Sequence, residues 1–78
     1  MQRTEEDNSL HTSLTFKDFT EAMVFLQQVA TLAVMHNHHP RILNEYTKVE
    51  LRLSTHDAGN VVTEKDRKLA EAISKLLD

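Results

Sequence analysis

Val49-Glu50-Leu51-Arg52-Leu53-Ser54 decides the fold. Val49, Leu51 and Leu53 alternate with Glu50, Arg52 and Ser54, so an extended chain here has one apolar and one wet face. A strand of that kind belongs to an antiparallel sheet covered on a single side. Just upstream, Ile42 to Tyr46 reads as a second strand. Thr47-Lys48 is the expected tight turn between the two, although it lacks the Asn-Gly or Asp-Gly signal. Before that strand, Pro40 lacks an amide donor and steers His39 away from helical angles, so a preceding helix must stop by about residue 37. Asp18 is the expected N-cap of that helix, with Glu21 three residues on as its capping-box partner. Phe19, Ala22, Met23, Leu26, Val29, Ala30, Ala33 and Val34 follow at helical spacing, with Val24, Phe25, Leu32 and Met35 off that stripe. The helix is therefore apolar on more than one face, and in so small a domain the second face is expected to meet another subunit.

Outward again, Leu10, Thr12, Leu14 and Phe16 alternate with His11, Ser13 and Thr15 as a first strand. Residues 1–9 are polar and are expected to form a frayed lead-in to one domain spanning residues 10–78. Downstream, Asp57-Ala58-Gly59-Asn60 holds the single glycine and reads as a loop. Thr63 caps a last helix, with Asp66 in its first turn and an apolar stripe of Leu69, Ala70, Ile73, Leu76 and Leu77. The predicted order is β-α-β-β-α: an α+β fold, with an antiparallel sheet and helices packed on one face.

Composition narrows the function. Seventy-eight residues make one small domain, and with no cysteine neither a disulfide nor a thiolate metal site can reinforce it. Oligomerisation is the remaining support. Nine Lys and Arg stand against twelve Asp and Glu, a net charge of −3 without a basic run, which argues against direct nucleic-acid binding. No apolar segment approaches the roughly 18 residues that span a bilayer. Met1 to Asp7 lacks the apolar core of a secretory leader, so the expected location is cytoplasmic.

Four of the five histidines lie between positions 36 and 56, at His36, His38, His39 and His56. Three readings compete. Imidazoles at a helix C-terminus can simply serve its last carbonyls. A metal site is disfavoured, because the spacings of His36, His38 and His39 do not match paired ligands on one helix face and no cysteine completes a set. Acid–base chemistry is the third: the helix end delivers His38 and His39, the strand end delivers His56, and both ends can open on one rim of the sheet.

The spacing His38-His39-Pro40, Tyr46, His56, Asp66 resembles the signature of the pterin-4a-carbinolamine dehydratases. Leu14-Thr15-Phe16-Lys17-Asp18-Phe19 and Ser54-Thr55-His56-Asp57-Ala58-Gly59 extend the resemblance across residues 10–77. It implies dehydration of 4a-hydroxytetrahydropterin to quinonoid dihydropterin and water, in tetrahydropterin recycling, with neither metal nor organic cofactor. It implies a homodimer or homotetramer, catalytic His38, His39 and His56, and pterin contacts from Pro40, Ser54, Thr55, Asp57 and Ala58. Within the trio, His38 and His56 are the expected acid–base pair and His39 the support. Two features depart from the family pattern. Val34 stands where many relatives carry an acidic residue, four positions before the first histidine. Many relatives also have further N-terminal elements before the segment matching residues 10–16. The alternative function is therefore a weakened, dehydratase-like binding protein, as in relatives that act as dimerisation cofactors or as assembly factors.

Overall fold

The computed structural model describes residues 1–77; the last residue of the expected domain, Asp78, lies outside them. Four strands form one antiparallel sheet: β1 (Thr4–Glu6), β2 (Ser9–Thr15), β3 (Arg41–Glu45) and β4 (Lys48–Leu53), in the order β1-β2-β4-β3. Helices α1 (Phe19–Met35) and α2 (Glu64–Lys75) cover one face. Leu10 of β2 lies opposite Leu53 of β4, Thr12 opposite Leu51 and Leu14 opposite Val49, so one pleat direction collects the core side chains. Ala22, Phe25 and Val29 of α1 and Leu69, Ala70 and Ile73 of α2 close over them. The other face stays wet and carries His11, Ser13, Glu50 and Arg52. The predicted α+β class and single covered face are what the fold has.

The element order gains a strand. The expected frayed lead-in is instead a hairpin, with Glu6 opposite Ser9 and Asp7-Asn8 as the turn. Both turn residues have positive φ, 51° and 61°, the backbone that Asp and Asn tolerate and that matches strand twist. Thr12 Oγ1 donates to the Gln2 carbonyl, and Arg67 reaches Glu5 at 3.0 Å, so the segment is docked on sheet and helix. A three-residue strand of Thr and Glu has no apolar alternation to announce it.

The second hairpin is shifted by one residue. Glu45 pairs with Lys48, which makes Tyr46-Thr47 the turn, and Tyr46 takes φ 53°. Asn44 Nδ2 donates to the carbonyls of Tyr46 and Lys48 and holds the loop closed. Tyr46, expected in a strand, is a turn residue with 79% of its surface exposed.

Helix α1 buries part of the stripe its spacing suggested, with Phe25 added from outside it. Ala22, Phe25, Val29 and Ala33 are buried, whereas Phe19, Met23 and Val34 of the expected stripe are exposed. A helix apolar all round has no periodic signal to choose its buried face. Its start is as predicted: Asp18 Oδ1 accepts from the Glu21 amide at 2.8 Å. The Glu21 carboxylate reaches back to the Lys17 amide, one residue before the box position.

Candidate functional site

The site is built where three chain segments end at the same side of the sheet. The first is the C-terminus of α1. Asn37 takes left-handed φ 49°, its amide donates to the Val34 carbonyl, and the His38 amide donates to the Ala33 carbonyl. This left-handed cap ends the helix three residues before Pro40 and turns His38 back under the molecule. The second is the end of β4. Thr55 bridges to Val61, and the intervening residues make one helical turn, His56–Ala58, closed by Gly59 at φ 88° and Asn60 at φ 60°. A glycine at that φ carries no Cβ penalty. The third is the start of α2, where Thr63 is the predicted cap and its amide donates to Asp66 Oδ2 at 2.8 Å, which completes a capping box.

Asp66 joins all three. It is fully buried and sits one turn ahead of Leu69 on the core-facing stripe of α2. Its Oδ1 lies 2.5 Å from His38 Nε2, and its Oδ2 also accepts from the Thr55 hydroxyl at 2.8 Å. The Thr55 hydroxyl is in turn 2.6 Å from that of Thr63. Burial alone pushes the Asp66 carboxyl up. The hydrogen bonds from His38, the Thr63 amide and the Thr55 hydroxyl, with the charge of His38, outweigh this and hold it below the usual carboxylate value.

His39 and His56 lie on the open side. They border a cleft of about 360 Å³ on the wet face of the sheet, together with Asp7, Ser9, Arg41, Arg52, Ser54 and Asn60. His39 precedes β3 and His56 follows β4, so the pairing of those two strands brings the imidazoles to one rim. His56 Nδ1 lies 3.0 Å from Asn60 Oδ1. An amide oxygen only accepts, so Nδ1 donates there and Nε2 is the nitrogen left to exchange a proton.

The sequence-predicted residues thus separate into two groups. His39, His56 and Ser54 border the cleft. His38 does not; its side chain is 11% exposed and turned to Asp66. Thr55, expected at the pterin, is buried with its hydroxyl on Asp66 and Thr63. Asp57 and Ala58 border a separate shallow depression with Thr63, Glu64 and Lys65, and Pro40 is half-buried outside the cleft. Tyr46 lies at the far end of β3, on the order of 20 Å from His39 at the usual strand rise. Val34 is 73% exposed on the last turn of α1. The carboxylate that engages a site histidine comes from α2, as Asp66, whose place in the spacing was visible although its burial was not. Asn60, Arg41 and Arg52 were missed; only the alternation of β4, which puts Arg52 on the wet face, pointed to any of them. No three His, Asp or Glu among the described residues are grouped to hold a metal ion.

Fold and site define a class: a small α+β protein with an imidazole-bordered cleft on the open face of a four-stranded antiparallel sheet. The chain belongs to the pterin 4 alpha carbinolamine dehydratase family, whose model matches residues 2–76. A candidate pterin-4-alpha-carbinolamine dehydratase of Nitrobacter hamburgensis is 50% identical over 62 residues, covering 80% of this chain and 60% of the relative. One from Nostoc punctiforme is 41% identical over 73 residues, covering 94% and 77%. The chain thus spans about three fifths of the length of the first of these. Among solved structures, a transcriptional coactivator/pterin dehydratase from Brucella melitensis superposes with TM-score 0.85 at 36% identity, over 95% of this chain and 78% of that one. A pterin dehydratase-like RuBisCO assembly factor of the alpha-carboxysome superposes with TM-score 0.76 at 22% identity, a likeness of fold.

Proposed function

We propose that this chain dehydrates 4a-hydroxytetrahydropterin to quinonoid dihydropterin and water in tetrahydropterin recycling, and that His39 and His56 carry the proton transfers. The observation behind this reading is that two histidines from distant segments border one cleft in a member of a dehydratase family. The C4a–O bond breaks with its electron pair on oxygen, which takes a proton from an imidazolium and leaves as water. The N5–H bond supplies the pair for the new C4a=N5 bond, and a neutral imidazole takes that proton. Two imidazoles on one rim can hold the two states at once. With Nδ1 turned to Asn60, His56 exchanges protons through Nε2, and we assign acceptance to His56 and donation to His39. This exchanges the roles first expected of His38 and His39; His38 becomes the residue that anchors the end of β4, next to Ser54 and His56, through Asp66 and Thr55.

The assembly is a homodimer or homotetramer. Sheet order leaves β3 as an edge with all five residues exposed, Ile42 and Leu43 among them, and α1 leaves Phe19, Val24, Val34 and Met35 uncovered. Such surface normally finds a partner. No helix of the described residues is long and apolar enough to cross a membrane.

Stopped-flow dehydration of a synthetic carbinolamine tests the reading. His39→Ala and His56→Ala should each lower the rate by about 10²-fold or more, as loss of a general acid or base does. Wild-type rates no faster than buffer would end it. A second reading, a weakened dehydratase serving as a binding protein, draws on the exposed Val34 in place of a carboxylate. A large gain in Val34→Glu would favour it.

A further inference from the structure

Arg41 and Arg52 are direct cross-strand partners on the wet face of the sheet. Opposed side chains in such a pair lie about 5 Å apart at Cβ, and like charges placed so repel. The fork of Arg52 is aimed by Ser9, whose hydroxyl accepts from Nη1 at 3.4 Å, and loosely by Glu6 at 3.9 Å. Glu6 is shared with His11, 3.2 Å from it, and Glu50 is taken up by His11 and Ser13 at 3.4 Å each. Arg41 has no carboxylate within ion-pair reach among the described residues. Both arginines border the cleft that holds His39 and His56, where Asp7 is the one carboxylate, and the same pair flanks a second depression with Leu43 and Glu50. The remaining side chains of the cleft, Ser9, Ser54 and Asn60, are neutral and polar.

An arginine with no carboxylate partner, opposite a second that Glu6 holds only at 3.9 Å, makes a recognition site for an anion, since guanidinium matches carboxylate or phosphate oxygens bidentately. We propose that Arg41 and Arg52 form an anion subsite next to the imidazoles, and that the ligand of this cleft is a pterin whose side chain carries a phosphate or carboxylate group. The inference rests on the pterin reading above and adds the charge of the substituent. Arg41 follows His39 by two residues, at most about 7 Å along extended chain, and both border the cleft, so one molecule can reach both.

Fluorescence titration of the full chain with stable oxidised pterins decides this. The probes are 6-hydroxymethylpterin, its monophosphate, and pterin-6-carboxylate, all at low ionic strength. One or both anionic probes should bind about tenfold more tightly than the neutral one, as expected for a charge-assisted pair in a half-open cleft. The preference should vanish in Arg41→Gln and in Arg52→Gln, shrink in 0.5 M salt, and grow in Asp7→Asn, whose side chain tolerates the same turn backbone. Which anion wins identifies the group. Circular dichroism and melting temperature equal to those of the wild type in both arginine variants check that the scaffold of the cleft is intact. Equal affinity for all three probes, no binding of any, or a preference that survives both arginine variants overturns the subsite. The dehydration assay with a neutral carbinolamine judges the dehydratase reading separately: a fast rate without anion preference sinks the subsite alone, and anion preference without acceleration sinks the dehydratase alone.

Discussion

At the scale of the residue, the decisive contact is Asp66 with His38. The folded carboxyl is held below its ordinary value of 3.8, so the native state binds this proton less readily than the unfolded chain. Its stabilisation is complete above the unfolded value and is lost as pH falls through the lower, folded one. Asp66→Asn should therefore cost about 1–3 kcal/mol at neutral pH and flatten the fall of stability on the acid side of about pH 5, read by urea denaturation at each pH. His38→Ala strands the same buried carboxylate and should cost a similar amount, whereas His39→Ala and His56→Ala at exposed positions should stay within about 0.5 kcal/mol. A flat stability response to His38→Ala would remove the lock. Asn60→Gly keeps the left-handed backbone and deletes the amide that orients His56. It should slow dehydration about tenfold with little change in melting temperature. The spacing of the histidines and Asp66 was legible in the chain. Which imidazole turns inward was not, because adjacent residues at a helix cap point in directions set by backbone angles rather than by spacing.

At the scale of the element, caps and turns fix the register that the apolar pattern leaves open. Asn37 at φ 49° positions His38, and alanine there should cost about 1 kcal/mol while glycine is tolerated, checked by thermal melts. Tyr46 at φ 53° is a non-glycine residue in a tight turn, so Tyr46→Gly should raise stability by about 0.5–1 kcal/mol. An unchanged or lower melting temperature would mean that the tyrosine ring has a packing role in the assembly. Strands β2 and β4 were legible from alternation, and α2 from its stripe and cap. Strand β1 was not, since Thr4, Glu5 and Glu6 carry no apolar residue and Asp7-Asn8 replaces the stronger glycine turn signals. The one-residue slip at Tyr46-Thr47 has the same origin: the closing register pair, Glu45 and Lys48, is made of charged residues, invisible to a hydrophobic count.

At the scale of the whole molecule, one sheet face is covered by helices and the other carries the cleft, so further apolar surface lies along β3 and the outer side of α1. Leu43→Lys places a charge on the exposed edge and should move the sedimentation coefficient toward that of a monomer. A wild type that already sediments as a monomer would contradict the proposed assembly. The Asp66 junction has a last consequence, for amide hydrogen exchange. Because one buried carboxylate holds the cap after α1, the end of β4 and the start of α2, none of the three can open alone without abandoning it. The amides of His38, Thr55 and Thr63 should therefore exchange with nearly equal free energies, close to that of global unfolding, while the turn at Asp7-Asn8 exchanges quickly. The segments that carry the two cleft histidines then behave as part of the cooperative unit, already set when a ligand arrives.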